Sequence, residues 1–126
     1  MAQLAKYKLE PYVMYADLYS NMDMVSRGGW NWYTGSSSWY YKAILEYMLG
    51  LKIKNGILKI NPCISKSWKE YEIQYKYKTT LYNIKIKNIF SKNTGVNEFL
   101  VNGESVDNKE IELVDDGKIY NIEIFM

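Results

Sequence analysis

The chain changes its hydrophobic period once, at Gly50, and that switch constrains its fold more than any other feature. Before it, Tyr40, Ala43, Ile44, Tyr47, Met48 and Leu51 recur at i, i+3, i+4, i+7, the stripe of an amphipathic helix. This predicts a helix over 38–49, capped by a serine of Ser36–Ser38 and ended by Gly50. Tyr12, Val13, Ala16 and Tyr19 have the same spacing and predict a helix within 1–19, with Pro11 in its first turn or at a kink. Residues 20–37 between them predict a long loop.

After Gly50 the period is two. Tyr71, Ile73, Tyr75 and Tyr77 alternate with polar residues, as do Tyr82, Ile84 and Ile86. Asn55-Gly56 and Asn102-Gly103 are tight-turn dipeptides between such runs. Ile111, Leu113, Tyr120, Ile122 and Ile124 close the series. Short antiparallel strands at hairpin spacing predict a β-sandwich. The pattern thus predicts two helices followed by an all-β module.

Composition narrows the chemistry. The 126 residues contain no histidine and one cysteine. That excludes a Ser-His-Asp triad, a Cys-His pair, a His-ligated metal, a zinc ribbon and an internal disulfide within these residues. Residues 1–95 carry 14 basic and 6 acidic groups, and 96–126 carry 2 basic and 8 acidic groups. The lysines mostly alternate with apolar residues, as on the wet face of a sheet, so nucleic acid is not an expected partner. Met1–Lys8 has no apolar h-region and no apolar run is long enough to span a bilayer, so a cytoplasmic protein without a membrane span is expected.

Aromatic residues make up 16% of the chain and crowd its first 50 positions. With Leu9 and Met14, the aromatics Tyr7, Tyr12, Tyr15, Trp30, Trp32, Tyr33, Trp39, Tyr40 and Tyr41 are more than two helices can hide against each other. They predict self-association or packing against polypeptide beyond these residues.

The most specific stretch runs from Ser26-Arg27-Gly28-Gly29-Trp30-Asn31-Trp32-Tyr33 through Thr34-Gly35-Ser36-Ser37-Ser38-Trp39. It holds the only arginine. Its hydroxyls and peptide N–H groups directly precede a helix, whose N-terminal end suits an oxyanion such as phosphate. Arg27 adds a forked donor, and Trp30 and Trp32 add flat faces for a pyranose ring. The bland reading is a capped helix behind a loop anchored by tryptophans. Glu10 beside Tyr12 is a second candidate, a carboxylate next to an aromatic at a helix start. Asp17 and Asp23 have no pairing partner that would make them catalytic acids.

Lys8-Leu9-Glu10-Pro11-Tyr12-Val13, Ala16-Asp17-Leu18-Tyr19-Ser20 and the Arg27–Trp39 stretch resemble the C-terminal part of family-94 glycoside phosphorylases. The phosphorylase-like region of cyclic β-1,2-glucan synthases is the branch most similar to it. Asn61-Pro62-Cys63-Ile64 and Leu113-Val114-Asp115-Asp116-Gly117 are similar to the same family's tail. The resemblance implies an α+β chain: terminal helices of an α/α barrel in 1–50, then an antiparallel β-sandwich in 51–126. It implies inverting phosphorolysis of a β-linked glucoside or oligoglucan, with inorganic phosphate as co-substrate and no organic cofactor or metal. Thr34, Gly35, Ser36 and Arg27 would hold phosphate, and Glu10, Tyr12, Trp30 and Trp32 would line the sugar site. The general-acid aspartate lies far upstream in the family, so these residues hold no catalytic acid and imply an upstream barrel polypeptide. Where the family has a phosphate-binding histidine and a glycine before the arginine, this chain has Met24 and Ser26. A thioether cannot donate to phosphate. Two other readings stay open at this point: a non-catalytic carbohydrate-binding or interaction sandwich, and a decayed remnant.

Overall fold

The computed structural model describes residues 14–25, 27–29 and 34–126, without the side chain of Thr34. It divides into two compact units, Met1–Ala43 and Ile44–Met126. In the first, β1 (Asp17–Leu18) pairs antiparallel with β2 (Gly28–Gly29), and a 3-10 turn (Met22–Met24) lies between them. Helix α1 spans Thr34–Ala43, and a π turn (Ile44–Met48) opens the second unit.

Two helix expectations change here. Residues 14–19 do not form a helix: Asp17–Leu18 pair with the glycines, and the Tyr19 N–H donates to the Arg27 carbonyl at 2.9 Å. A few apolar residues at helical spacing do not outweigh a β-partner reached by a short turn. The 20–37 stretch is accordingly not one loop. Helix α1 starts four residues before the expected position, so Ser36–Ser38 lie inside it rather than capping it. Its regular α geometry also ends at Ala43, and the Leu49 N–H reaches back five residues to the Ile44 carbonyl at 2.8 Å. The expected stripe is not one buried face, since Tyr40 and Tyr47 are exposed while Leu51 enters the core as a strand residue. The helical-barrel part of the expectation falls largely on residues outside the described ones, which include one α-helix.

The second unit is a two-sheet sandwich. β3 (Leu51–Lys54), β4 (Ile57–Ile60) and β9 (Glu110–Glu112) form a three-stranded sheet. β5 (Glu70–Tyr77), β6 (Thr80–Lys87), β7 (Glu98–Val101), β8 (Glu104–Ser105) and β10 (Ile119–Phe125) form a five-stranded sheet in the order β5-β6-β10-β7-β8. The turn dipeptides act as predicted. Asn55 and Gly56 have φ of 52° and 77°, and Asn102 and Gly103 have 51° and 87°, the left-handed pair of a two-residue hairpin. The period-two residues Leu58, Ile60, Tyr82, Ile84, Ile86, Phe99, Ile122 and Ile124 form one core shared by both sheets. Each such aliphatic side chain contributes roughly 1.5–3 kcal/mol by leaving water.

One pairing corrects the antiparallel expectation. β10 runs parallel to β6 over seven residue pairs, from Ile119↔Leu81 to Phe125↔Lys87. Alternation sets which face of a strand is buried, but it carries no information about its partner. β10 slots between β6 and β7, and this meets the charge asymmetry of the sequence. Lys59, Lys78 and Lys87 from the basic stretch pair with Glu110, Asp115 and Glu123 from the acidic one.

The sandwich closes on Gly50. Its φ is +78°, and a Cβ there would overlap the Asn61 carbonyl and the Pro62 nitrogen. The Asn61 N–H donates to the Gly50 carbonyl at 3.0 Å and the Cys63 N–H to the Met48 carbonyl at 2.8 Å. Gly56 has a similar φ but nothing within 4 Å of a Cβ among the described residues. Gly50→Ala is therefore expected to cost about 2–4 kcal/mol, and Gly56→Ala only about 1–2 kcal/mol for the left-handed backbone. Urea unfolding of both variants checks the difference, and equal losses would refute the backbone-contact account.

Candidate functional site

The first unit builds a compact polar corner. The Asn21 side chain accepts from the Asp23 N–H at 3.2 Å and starts the 3-10 turn. The Met24 N–H donates to the Asn21 carbonyl, and the Arg27 N–H donates to the Met24 carbonyl, both at 2.9 Å. Met24 and Arg27 are thus the two ends of one turn. The Arg27 residue is exposed. Gly29 is buried, and a Cβ on it would overlap Asp17 and the Tyr19 ring. The space that Gly29 leaves open is taken by the chain's own side chains, so its close approach serves the β-ribbon.

Thr34, Gly35 and Ser36 are the first three residues of α1, so their peptide N–H groups lie in its first turn. No acidic residue of the helix occupies that turn, so its own sequence leaves the positive end of the dipole uncompensated. Gly35 is informative. Its φ is not in the left-handed region, and among the described residues nothing lies within 4 Å of a Cβ built there. Gly in a helix costs about 0.5–1 kcal/mol relative to Ala, and neither its backbone shape nor any described neighbour requires it at this position. Thr34, Gly35 and Ser36 are thus brought together, and Arg27 sits at the threshold of β2. Glu10, Tyr12, Trp30 and Trp32 lie outside the described residues. Trp39 and Tyr41 are 71% and 67% exposed on α1. Among the described residues no group of three or more His, Cys, Asp or Glu side chains is placed to hold a metal, and no helix is long and apolar enough to cross a membrane.

The tail motifs have structural roles. Asn61-Pro62-Cys63 makes the contact at Gly50. The Tyr71 hydroxyl donates to the Leu49 carbonyl at 2.9 Å, and burial pushes its pKa upward. Asp115-Asp116-Gly117 clasps the β5–β6 turn. The Thr79 N–H donates to Asp115 at 3.1 Å, and the Thr80 hydroxyl donates to Asp116 while accepting from the Asp116 and Gly117 N–H groups. The Lys118 N–H and the Tyr120 hydroxyl donate to the same Asp116 carboxylate at 3.1 and 2.9 Å.

A concavity in the second unit escaped the sequence reading. It is a hollow of about 660 Å³ on the outer face of the five-stranded sheet, with Glu72, Gln74, Asn83, Lys85, Asn121 and Glu123 around it. The available signal was two asparagines within strands, where asparagine is disfavoured.

Residues 2–50 match the family model described as glycosyl hydrolase 94 superfamily, catalytic domain. The cyclic beta-(1,2)-glucan synthase NdvB of Rhizobium meliloti (strain 1021) is 38% identical over 80 residues, 64% of this chain and 3% of that protein. The N,N'-diacetylchitobiose phosphorylase of Vibrio furnissii is 34% identical over 100 residues, 78% of this chain and 12% of that protein. The solabiose phosphorylase of Paenibacillus borealis is 26% identical over 95 residues, 75% of this chain and 12% of that protein. The chain spans about an eighth or less of the curated relatives it matches.

The Asp116 clasp predicts a pH dependence. Its carboxyl is lowered from 3.8 to about 2, chiefly by the Lys118 backbone N–H, with the Tyr120, Lys118 and Thr80 side chains adding to this against desolvation. A depressed acid contributes stability that is present above its unfolded value and lost as pH falls through the folded one. The melting-temperature gap between the parent chain and Asp116→Asn is expected to be full at neutral pH and to close between about pH 4 and pH 2. A gap constant across that window would contradict the clasp.

Proposed function

This chain carries a family-94 phosphorylase-like region, and from that premise we propose that its residues form the C-terminal part of an inverting β-glycoside phosphorylase or cyclic β-1,2-glucan synthase-like enzyme. Its substrates are a β-linked glucoside or oligoglucan and inorganic phosphate. The phosphate rests on the first turn of α1, held by Thr34, Gly35 and Ser36, with the Arg27 guanidinium as a charged fork. Glu10, Tyr12, Trp30 and Trp32 line the adjoining sugar subsite. A general acid from polypeptide outside these 126 residues protonates the leaving oxygen. Phosphate attacks the anomeric carbon from the opposite face and yields an α-sugar 1-phosphate.

The observation that carries this reading is Gly35. A glycine with no described neighbour within 4 Å of a Cβ, in a first turn without acidic residues of its own, leaves room on that side for an anion to approach the helix N-terminus. Met24 limits the site. It occupies the position where the resemblance places a histidine, one turn from Arg27, and its thioether supplies no donor. The exposed Trp39 and Tyr41 on α1 are the surface that packs against the rest of the barrel.

Phosphate titration followed by backbone amide NMR is expected to move Thr34, Gly35 and Ser36. Gly35→Ala should leave the fold intact or about 0.5–1 kcal/mol more stable while weakening phosphate binding. Met24→His should strengthen binding by roughly tenfold below the imidazole pKa. Responses confined to the lysine-bearing strands would overturn the assignment. Alone, the chain is expected to self-associate and to release no sugar 1-phosphate from β-linked glucosides. Turnover by the isolated chain would refute the missing general acid, and a clean monomer by light scattering at high concentration would refute the packing role of α1.

A further inference from the structure

We propose that the outer face of the five-stranded sheet, centred on Asn83, binds a neutral oligosaccharide. The ligand class rests on the function proposed above; the location rests on the sheet itself. Gln74, Asn83 and Asn121 stand in one row across β5, β6 and β10. The Gln74 amide donates to Asn83 Oδ1 at 3.2 Å, and the Asn83 amide donates to Asn121 Oδ1 at 3.3 Å. A carboxamide has two donors and two acceptor lone pairs, so each member of the row keeps hydrogen-bonding capacity beyond these contacts. The row thus offers donors and acceptors side by side, which is what sugar hydroxyls require.

Three observations select this ligand. Asparagine is disfavoured in strands, yet Asn83 and Asn121 lie inside β6 and β10, each with a strand on both sides. Threonine or valine would suit the strand backbone better; what the asparagines gain is the amide row itself, a line of donors and acceptors on the outer face of the sheet. The adjoining rows are close to charge balance. Glu70 and Glu72 flank Lys85 at 3.5 and 3.0 Å, and Lys87 pairs with Glu123. With exposed Lys76 in the row on the other side, Glu70, Glu72 and Glu123 are matched by Lys76, Lys85 and Lys87, so the face has no excess of positive charge to favour phosphate or nucleic acid. Finally, the hollow of about 660 Å³ falls within the usual range for small-molecule sites, about 300–1,000 Å³.

The test uses the 126-residue chain, a β-linked gluco-oligosaccharide and N,N'-diacetylchitobiose as probes, with side-chain amide NMR as the readout. The Gln74, Asn83 and Asn121 amide signals are expected to shift on titration with at least one probe. Asn83→Thr and Asn121→Thr should each weaken binding roughly tenfold while the melting temperature holds or rises. No shift at these amides, unchanged affinity in both variants, or a lowered melting temperature in either overturns the proposal. Shifts confined to residues 17–36 also overturn it while leaving the phosphorylase reading intact. Shifts on the sheet face without any phosphate response at Thr34–Ser36 support this site and count against that reading.

Discussion

The contact of backbone with backbone at Gly50 governs how the helical stretch hands over to the sandwich. A chain leaving a helix must turn sharply and lose its last carbonyls to other donors. Here a left-handed glycine makes the turn, and the segment at Asn61–Cys63 supplies the donors, bonding to the carbonyls of Gly50 and Met48. Two strands can meet this closely only because one residue has no Cβ. Once that crossing is made, β3 and β4 form a hairpin in register, and Leu51, Leu58 and Ile60 all face the common core. The Tyr71 hydroxyl binds the Leu49 carbonyl and ties the same junction to the other sheet. Both sheets therefore depend on one short piece of chain.

The same economy shows in the charges. The basic early strands and the acidic tail give an uneven sequence but a balanced surface, because β9 returns to β4 and β10 returns to β6. The resulting lysine–carboxylate pairs are exposed, and each contributes only about 0–1 kcal/mol. Their larger effect is on what the surface attracts. The lysines of β5 and β6 do lie on the solvent side of their sheet, opposite the core residues of the same strands.

Local chemistry was legible in the sequence and long-range pairing was not. Asn55-Gly56 and Asn102-Gly103 determine their own backbone shape, so the hairpins were readable without a partner. The alternation in β5, β6 and β10 named the core face correctly for the same reason. The parallel pairing of β10 with β6 depends on residues some 38 positions apart, Asn121 on Asn83, and no local pattern encodes it. Of the helix expected over 1–19, the described part, 14–19, is not helical because Asp17 and Leu18 pair with Gly28–Gly29, a contact that helical spacing alone does not reveal. The start of α1 was misplaced because three serines look like caps, whereas serine is also tolerated in a first helical turn. At the proposed site, Thr34, Gly35 and Ser36 are consecutive, so the sequence alone brings them together. The amide row was not, because its members come from three strands.

Gly35 and the asparagines of the sheet face pose the same physical question. Each is a residue its own element disfavours, Gly35 with no described neighbour within 4 Å of a Cβ and the asparagines bonded to one another along their row. Gly50 and Gly29 look similar in sequence, yet their surroundings account for them fully: one meets a backbone, the other two side chains. Comparing the glycines sorts them by cause. Where a Cβ would collide, the fold requires glycine, and no ligand has to be invoked. Where a Cβ would meet no described residue on an ordinary backbone, alanine would suit the helix better, and the proposed anion gives glycine a reason. An anion approaching the N–H groups of the first turn is such a reason, because a methyl group at that point would stand in its path. By the same logic the two asparagines forgo strand propensity for a row of donors and acceptors, partly spent on one another and partly open to the proposed sugar.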